Sequence, residues 1–167
     1  MLTNFLQHNI PSVRLLRFLC VIAPLLFQGC VSTQRIIPAP DTKQNFNQPF
    51  DKVWGAIVGE LSAEYPFQVV DKQSGIIQTQ LISIGSGFGS LRVLQRYAIE
   101  PRMFLATWSS ASASLSVYVK AVNETNTMVR ITGHFQGFEN NVTHSLQPWQ
   151  SNGTLENQVL ASITKNL

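Results

Sequence analysis

The sequence predicts an α+β fold, a curved and mostly antiparallel sheet packed against an N-terminal and a C-terminal helix. Three observations carry that expectation. Phe50, Val53, Trp54, Ile57 and Leu61 recur with helical period and form one apolar stripe. Leu115, Val117, Val119 and Ala121, then Val129, Ile131, Gly133 and Phe135, alternate on either side of "NETN", as a hairpin with one buried face requires. Leu155, Val159, Ile163 and Leu167, widened by Leu160, make a second helical stripe at the C-terminus. A sheet holding both helices on one face buries both stripes together.

The elements follow in order. Pro49 suits the first turn of the first helix, Asp51 favours the positive end of its dipole, and Tyr65-Pro66 stops it. "FQVVD" reads as a strand, "KQSG" as a turn closed by Asp71 and Lys72, and "IIQTQLI" as a second strand with Ile77, Thr79 and Leu81 on one face. "SIGSGFGS" reads as a flexible loop, after which "LRVLQRYAI" resumes as a strand with Val93, Tyr97 and Ile99 inward. The long hairpin brings the total to five or so strands. "ENNVTHSLQPWQSNG" reads as a polar loop in which Trp149 staples the last helix, with Ser151 or Asn152 as its cap and Glu156 in its first turn.

The 167 residues fit one domain plus a targeting segment. Charged residues make up 13% of the chain, about half the usual share, so Ser, Thr, Asn and Gln carry the polar surface. Net charge is +3, falling to +1 once Arg14 and Arg17 of the leader are set aside. No basic run tracks phosphates, which argues against a nucleic-acid partner.

Residues 1–29 read as an export signal. Arg14 and Arg17 flank an apolar core, Phe18 to Phe27, which is far shorter than the roughly 20 residues of a membrane-spanning helix. The core closes on "LLFQGC", where Gly29 precedes Cys30. This junction resembles the lipobox of bacterial lipoproteins, although Phe27 and Gln28 stand where that family usually has Leu and then Ser or Ala. The resemblance implies a diacylglycerol on the Cys30 sulfur, cleavage before it and acylation of the new amino group, with palmitate among the chains. Cleavage elsewhere, an uncleaved anchor and a cytosolic start compete with that reading. Cys20 leaves with the leader, so no thiol remains for a disulfide or a metal. No Asp follows Cys30, which in the resembled family favours the outer membrane, with the domain facing the periplasm. Residues 30–41 then form an acylated tether and 42–167 a globular domain.

"PFDKVWGAI" leading to "FQVVDKQSGIIQT", with a final helix entered through "SNGTLENQVL", resembles the helix-grip domains of the lipoprotein C component of the outer-membrane β-barrel assembly machine. That component carries two such domains, and this chain carries one. The resemblance implies a helix-grip fold and a place in the cell envelope.

Candidate chemistry is sparse. "GSGFG" lacks the Lys-Ser/Thr ending of a nucleotide loop, and the residues after it form no clear helix to hold an anion, so Gly85, Gly87, Phe88 and Gly89 stand only as a possible loop contact. His134 falls on the face opposite Phe135 and His144 in a polar loop, neither at metal-ligand spacing. Glu60 and Glu64 fit a solvated helix face, and no G-x-S-x-G elbow surrounds the serines. The expected role is therefore a lipid-anchored, non-enzymatic scaffold or accessory factor that binds an envelope protein. It needs no catalytic residue, no metal and no cofactor beyond the lipid on Cys30. The alternative is a periplasmic carrier of a lipid or other small ligand, held in an apolar pocket beneath the "GSGFG" loop.

Overall fold

A computed structural model of the chain describes residues 40–167. The leader, Cys30 and most of the tether lie outside the described residues. Among the described residues the architecture is α+β, an open, curved antiparallel sheet of eight strands with three helices.

The sheet is organised by the long hairpin. β6 (Trp108–Ala121) and β7 (Thr127–Glu139) pair in a register that sets Leu115 opposite Gly133, Val117 opposite Ile131 and Val119 opposite Val129. Their apolar residues therefore share one face. The turn is closed by Val122 N donating to Asn126 O, and by Asn123 Oδ1 accepting from Thr125 N at 3.0 Å. Each long strand serves two short ones along its free edge. β3 (Ile76–Thr79) and β4 (Ile82–Ser86) lie end to end on β6. β1 (Lys43–Phe46) and β8 (Ser145–Ser151) do the same on β7. β2 (Phe67–Asp71) adds outside β3, and β5 (Ala98–Ile99) outside β8. Register shifts at Ser83–Gly85 and Trp108–Ser110 mark bulges, which bend a sheet.

Helix α1 (Phe50–Ser62) buries Val53, Trp54, Ile57 and Leu61, the stripe its sequence displays, with Pro49 as its N-cap residue. The C-terminal helix, α3 (Thr154–Lys165), buries Glu156, Val159, Leu160 and Ile163. Both stripes meet Ile77, Leu115, Val117, Val119, Val129 and Ile131 in the main core. A second cluster joins Leu94, Ala98, Ala111, Ala113, Phe135 and Trp149 towards the other end of the sheet. Gly75, at φ +69°, is required in the β2–β3 turn, because a Cβ there would lie 2.0 Å from the Val119 carbonyl oxygen. Asp71 Oδ1 accepts from Gln73 N and Ser74 N in that turn, while Lys72 pairs with Asp51 at 2.9 Å.

Five expectations need correction. "SIGSGFGS" is not a flexible loop. It is β4 followed by the start of α2 (Phe88–Tyr97), so the residues after "GSGFG" do form a helix. That helix replaces the strand expected at "LRVLQRYAI". Leu91, Leu94 and Ala98 recur at helical spacing with Leu94 fully buried, while Arg92, Gln95 and Arg96 take the exposed face and Ile99 is exposed. β8 lies inside the stretch expected to be a polar loop; it buries Trp149 alone, and its Pro148 reads as a strand breaker. β5 reaches only Gln150 and Ser151, so the N–H that Pro148 lacks costs no bond on that side. β1 lies beside the tether boundary as an unpredicted strand, and with it the strands number eight. Leu81 falls beyond the end of β3 and is 50% exposed, although Ile77 and Thr79 are buried as expected.

Candidate functional site

The inner face of the sheet is not covered completely. A groove of about 450 Å³ remains between the helices. Its floor is Ala113 of β6 and Phe135 of β7. Ile82 and Ile84 of β4 with Val93 and Tyr97 of α2 form one wall, and Leu155, Gln158 and Val159 of α3 form the other. Glu60, Glu64 and Tyr65, at the end of α1, close one side. The groove exists because the two core clusters are separate: α1 and α3 pack on one, and α2 covers the other. Small Ala113 on the floor leaves the space between them unfilled.

The two carboxylates of the groove lie together at one side. Burial raises the pKa of the Tyr65 hydroxyl, and the nearby Glu64 carboxylate and Tyr97 raise it further. Tyr65 therefore stays a neutral hydrogen-bond donor throughout the physiological range. Glu60 Oε2 accepts from Asn166 Nδ2 at 2.9 Å, tying the end of α3 to the rim. Glu60 and Glu64 thus line the groove and do not stand on a merely solvated face. The result is a largely apolar trough with two carboxylates and two phenols on it.

The loop contact expected at "GSGFG" is distributed over two elements. Gly85 is an exposed residue of β4 at φ +111°. Gly87 is the N-cap residue of α2, and its N–H donates to Ser109 O at 2.7 Å. Phe88 and Gly89 begin α2. Gly85, Gly87 and Gly89 do not line the groove, although α2 and β4 both do. Cys30 lies outside the described residues. His134 is exposed and bonds Ser116 Oγ at 3.0 Å, and His144 is exposed in the β7–β8 loop at φ +48°. Among the described residues no three His, Cys, Asp or Glu side chains gather as metal ligands.

Two buried carboxylates escaped the sequence reading. Glu156 is 1% exposed, although an acid in the first turn of a helix usually faces water. Its Oε1 accepts from Gly133 N at 2.8 Å and from Ser151 Oγ at 2.5 Å. Gly133 lies where β1 has ended and β8 has not begun, so the carboxylate supplies the acceptor that a neighbouring strand would have provided. A second cavity of about 480 Å³ opens beside this gap, between Pro40–Thr42 and Gln150–Ser151. Thr42 braces its lower edge, donating from Oγ1 to Ile131 O while its own carbonyl accepts from Ile131 N.

Glu139 is 0% exposed at the far end of β7. Its carboxylate accepts from the backbone N–H groups of Thr107, Asn141, Val142 and Thr143 at 2.6–3.1 Å. Burial pushes its carboxyl pKa up, but the bonds from Thr143, Asn141, Thr107 and Val142 outweigh burial and hold it at about 2. One carboxylate thereby ties together two loops, the one entering β6 and the one leaving β7. No signal in the local sequence marks either role, because both depend on which backbone amides the sheet leaves unpaired. Ser151 and Asn152 do serve the start of α3, accepting from Gly153 N and Thr154 N, with Gly153 as the N-cap residue itself. Trp149 is a member of the second core cluster, edge-on to Trp108 at 5.2 Å, and Leu155 of α3 packs against the same cluster.

No protein-family model matches this sequence, and no curated protein matches it.

Proposed function

We propose that the chain is a lipid-anchored envelope protein that binds an amphiphilic ligand without transforming it, in the groove between α1, α2, α3 and the sheet. The groove itself carries this reading. Its floor is apolar and its walls largely so, its two carboxylates lie together at one side, and its volume of about 450 Å³ suits a small ligand or a lipid tail. The carboxylates of Glu60 and Glu64 favour a polar end that donates hydrogen bonds or carries positive charge. The anchor rests on Cys30 after its apolar leader, and the outer membrane is the proposed location.

The full chain, extracted from cell membranes in mild detergent, should release one non-covalent small molecule per protein in native mass spectrometry. Recovery of the protein with an empty groove, together with no uptake of a fluorescent fatty amine or fatty acid, would remove the reading. Alkyne fatty-acid labelling of wild type against Cys30→Ala tests the anchor separately.

A second reading, a scaffold for a protein partner, is favoured by the outer face of the sheet. There Ile76 and Tyr118 are paired across β3 and β6 and exposed, with Val69 exposed on β2. Photocrosslinking from Tyr118 in cells would yield a defined protein adduct on that reading.

A further inference from the structure

The end of the sheet where β6 begins and β7 ends is built as an apolar tip. The loop entering β6 carries Phe104, 88% exposed, and Leu105, 64% exposed, side by side. Leu105 also holds φ +60°, a conformation that L side chains other than Asn and Asp seldom adopt. An exposed leucine in a strained backbone contributes nothing to the core and costs solubility, so folding does not account for it. The strain is nevertheless held in place. Asn141 Nδ2 donates to Leu105 O at 2.8 Å, Ala106 N donates to Met103 O, and Thr107 N donates to Glu139 Oε1 at 3.1 Å. Val142, on the neighbouring loop, is also exposed.

Charge is sparse in the two loops at this end. Residues 101–107 and 140–146 contain no Asp or Glu, and Arg102 and His144 are the only titratable groups in them. Glu139, the nearest acid on β7, is turned inward and fully buried. An exposed Phe-Leu pair beside an arginine, with the acid at its base, Glu100, engaged by Trp108 Nε1 at 2.7 Å, has the composition of a segment that sits among lipid headgroups and acyl ends.

Chain length permits such a contact. Thr42 lies opposite Ile131, and the tip lies eight residues further along β7, about 26 Å away at strand rise. The twelve residues from Cys30 to Thr42 can extend to roughly 40 Å. We infer that Phe104 and Leu105 dip into the phospholipid surface of the membrane to which Cys30 is attached, as a second, non-covalent contact that fixes the orientation of the domain. This inference rests on the lipid-anchor reading for the membrane concerned.

The test is photocrosslinking in cells that make the full chain, with Phe104→p-benzoylphenylalanine compared with the same substitution at Tyr118. Both side chains are exposed, so neither replacement disturbs packing. Intact mass spectrometry should show phospholipid adducts at position 104 at least fivefold above those at position 118. A protein adduct at 104, a dimer of this chain, or no lipid excess over 118 overturns the inference. Alkyne fatty-acid labelling of Cys30 in the same cells separates the two ideas. Label without a lipid adduct defeats the tip and leaves the anchor, whereas a lipid adduct without label defeats the anchor and leaves the tip.

Discussion

Glu156 on α3 meets Gly133 on β7 through a 2.8 Å hydrogen bond, and only glycine permits it. A Cβ on residue 133 would stand 2.6 Å from the Phe135 ring and 2.8 Å from Glu156 Oε1. The two residues are therefore one device, a carboxylate seated in a break of the β7 edge and a backbone bare enough to receive it. The bond also ties α3 to the sheet between the two core clusters.

Glu156→Ala should destabilise the domain by about 2–4 kcal/mol, because the buried Gly133 N–H and Ser151 hydroxyl both lose their acceptor. Glu156→Gln keeps an oxygen for Gly133 and should cost about half as much or less. Gly133→Ala should cost as much as Glu156→Ala, and the double variant much less than the sum, since either change alone breaks the same contact. Urea denaturation of the four proteins reads this directly. Additive losses would mean that the pair acts independently.

Glu139 predicts a pH dependence with a definite sign. Its folded pKa of about 2 lies below the ordinary value of 4.5, so its contribution to stability is fully present above pH 4.5. That contribution is lost as pH falls from 4.5 through 2, where protonation removes the charge that strengthens all four amide bonds and turns one accepting oxygen into a hydroxyl. Hydrogen exchange should show the amides of Thr107, Asn141, Val142 and Thr143 opening together between pH 4 and pH 2.5. In Glu139→Gln one accepting oxygen remains, so two of the four amides should lose protection already at pH 7, and the acid-dependent step should be absent.

Much of the frame was legible because its signals are local. The stripes of α1 and α3 and the alternation of β6 and β7 are repeated patterns, and each places its own residues on the buried face. What escaped was set by partners distant in sequence. "LRVLQRY" alternates well enough to read as a strand, and only the packing of Leu94 against Ala111, Ala113 and Phe135 selects the helix. β8 is a strand because β7 has a free edge at Phe135–Glu139, and its own composition argues otherwise. The groove was anticipated as a pocket near "GSGFG", but its lining could not be named while α2 was read as a strand. Glu60 and Glu64 look like ordinary surface acids until the three helices are placed around them.

Gly75→Ala tests how firmly the edge of the sheet is tied down. Its Cβ would collide with the Val119 carbonyl, and the φ of +69° adds strain of about 1–2 kcal/mol for any L side chain. The Val119 N–H to Gly75 O bond of 2.8 Å would open with it. A loss of at least 2 kcal/mol in chemical denaturation is expected, with the β2 and β3 amides losing protection before those of β6 and β7. A change below 0.5 kcal/mol would show that the turn relaxes without strain.

The groove is tested most sharply by filling it from a wall that the core does not depend on. Val93 is half-buried on α2, and its side chain lines the groove without belonging to either core cluster. Val93→Trp should occupy the space needed by a ligand tail and weaken binding of a fluorescent amphiphile at least tenfold. The stability of the domain should change by less than about 1 kcal/mol, since a half-exposed wall can accommodate the larger ring. Glu60→Gln with Glu64→Gln acts on the other end of the ligand. The pair should weaken a fatty amine while leaving a fatty alcohol nearly unchanged, because only the amine carries the charge that the carboxylates attract. Equal losses for both ligands would place the polar end away from α1, and unchanged binding in Val93→Trp would place the ligand outside the groove altogether.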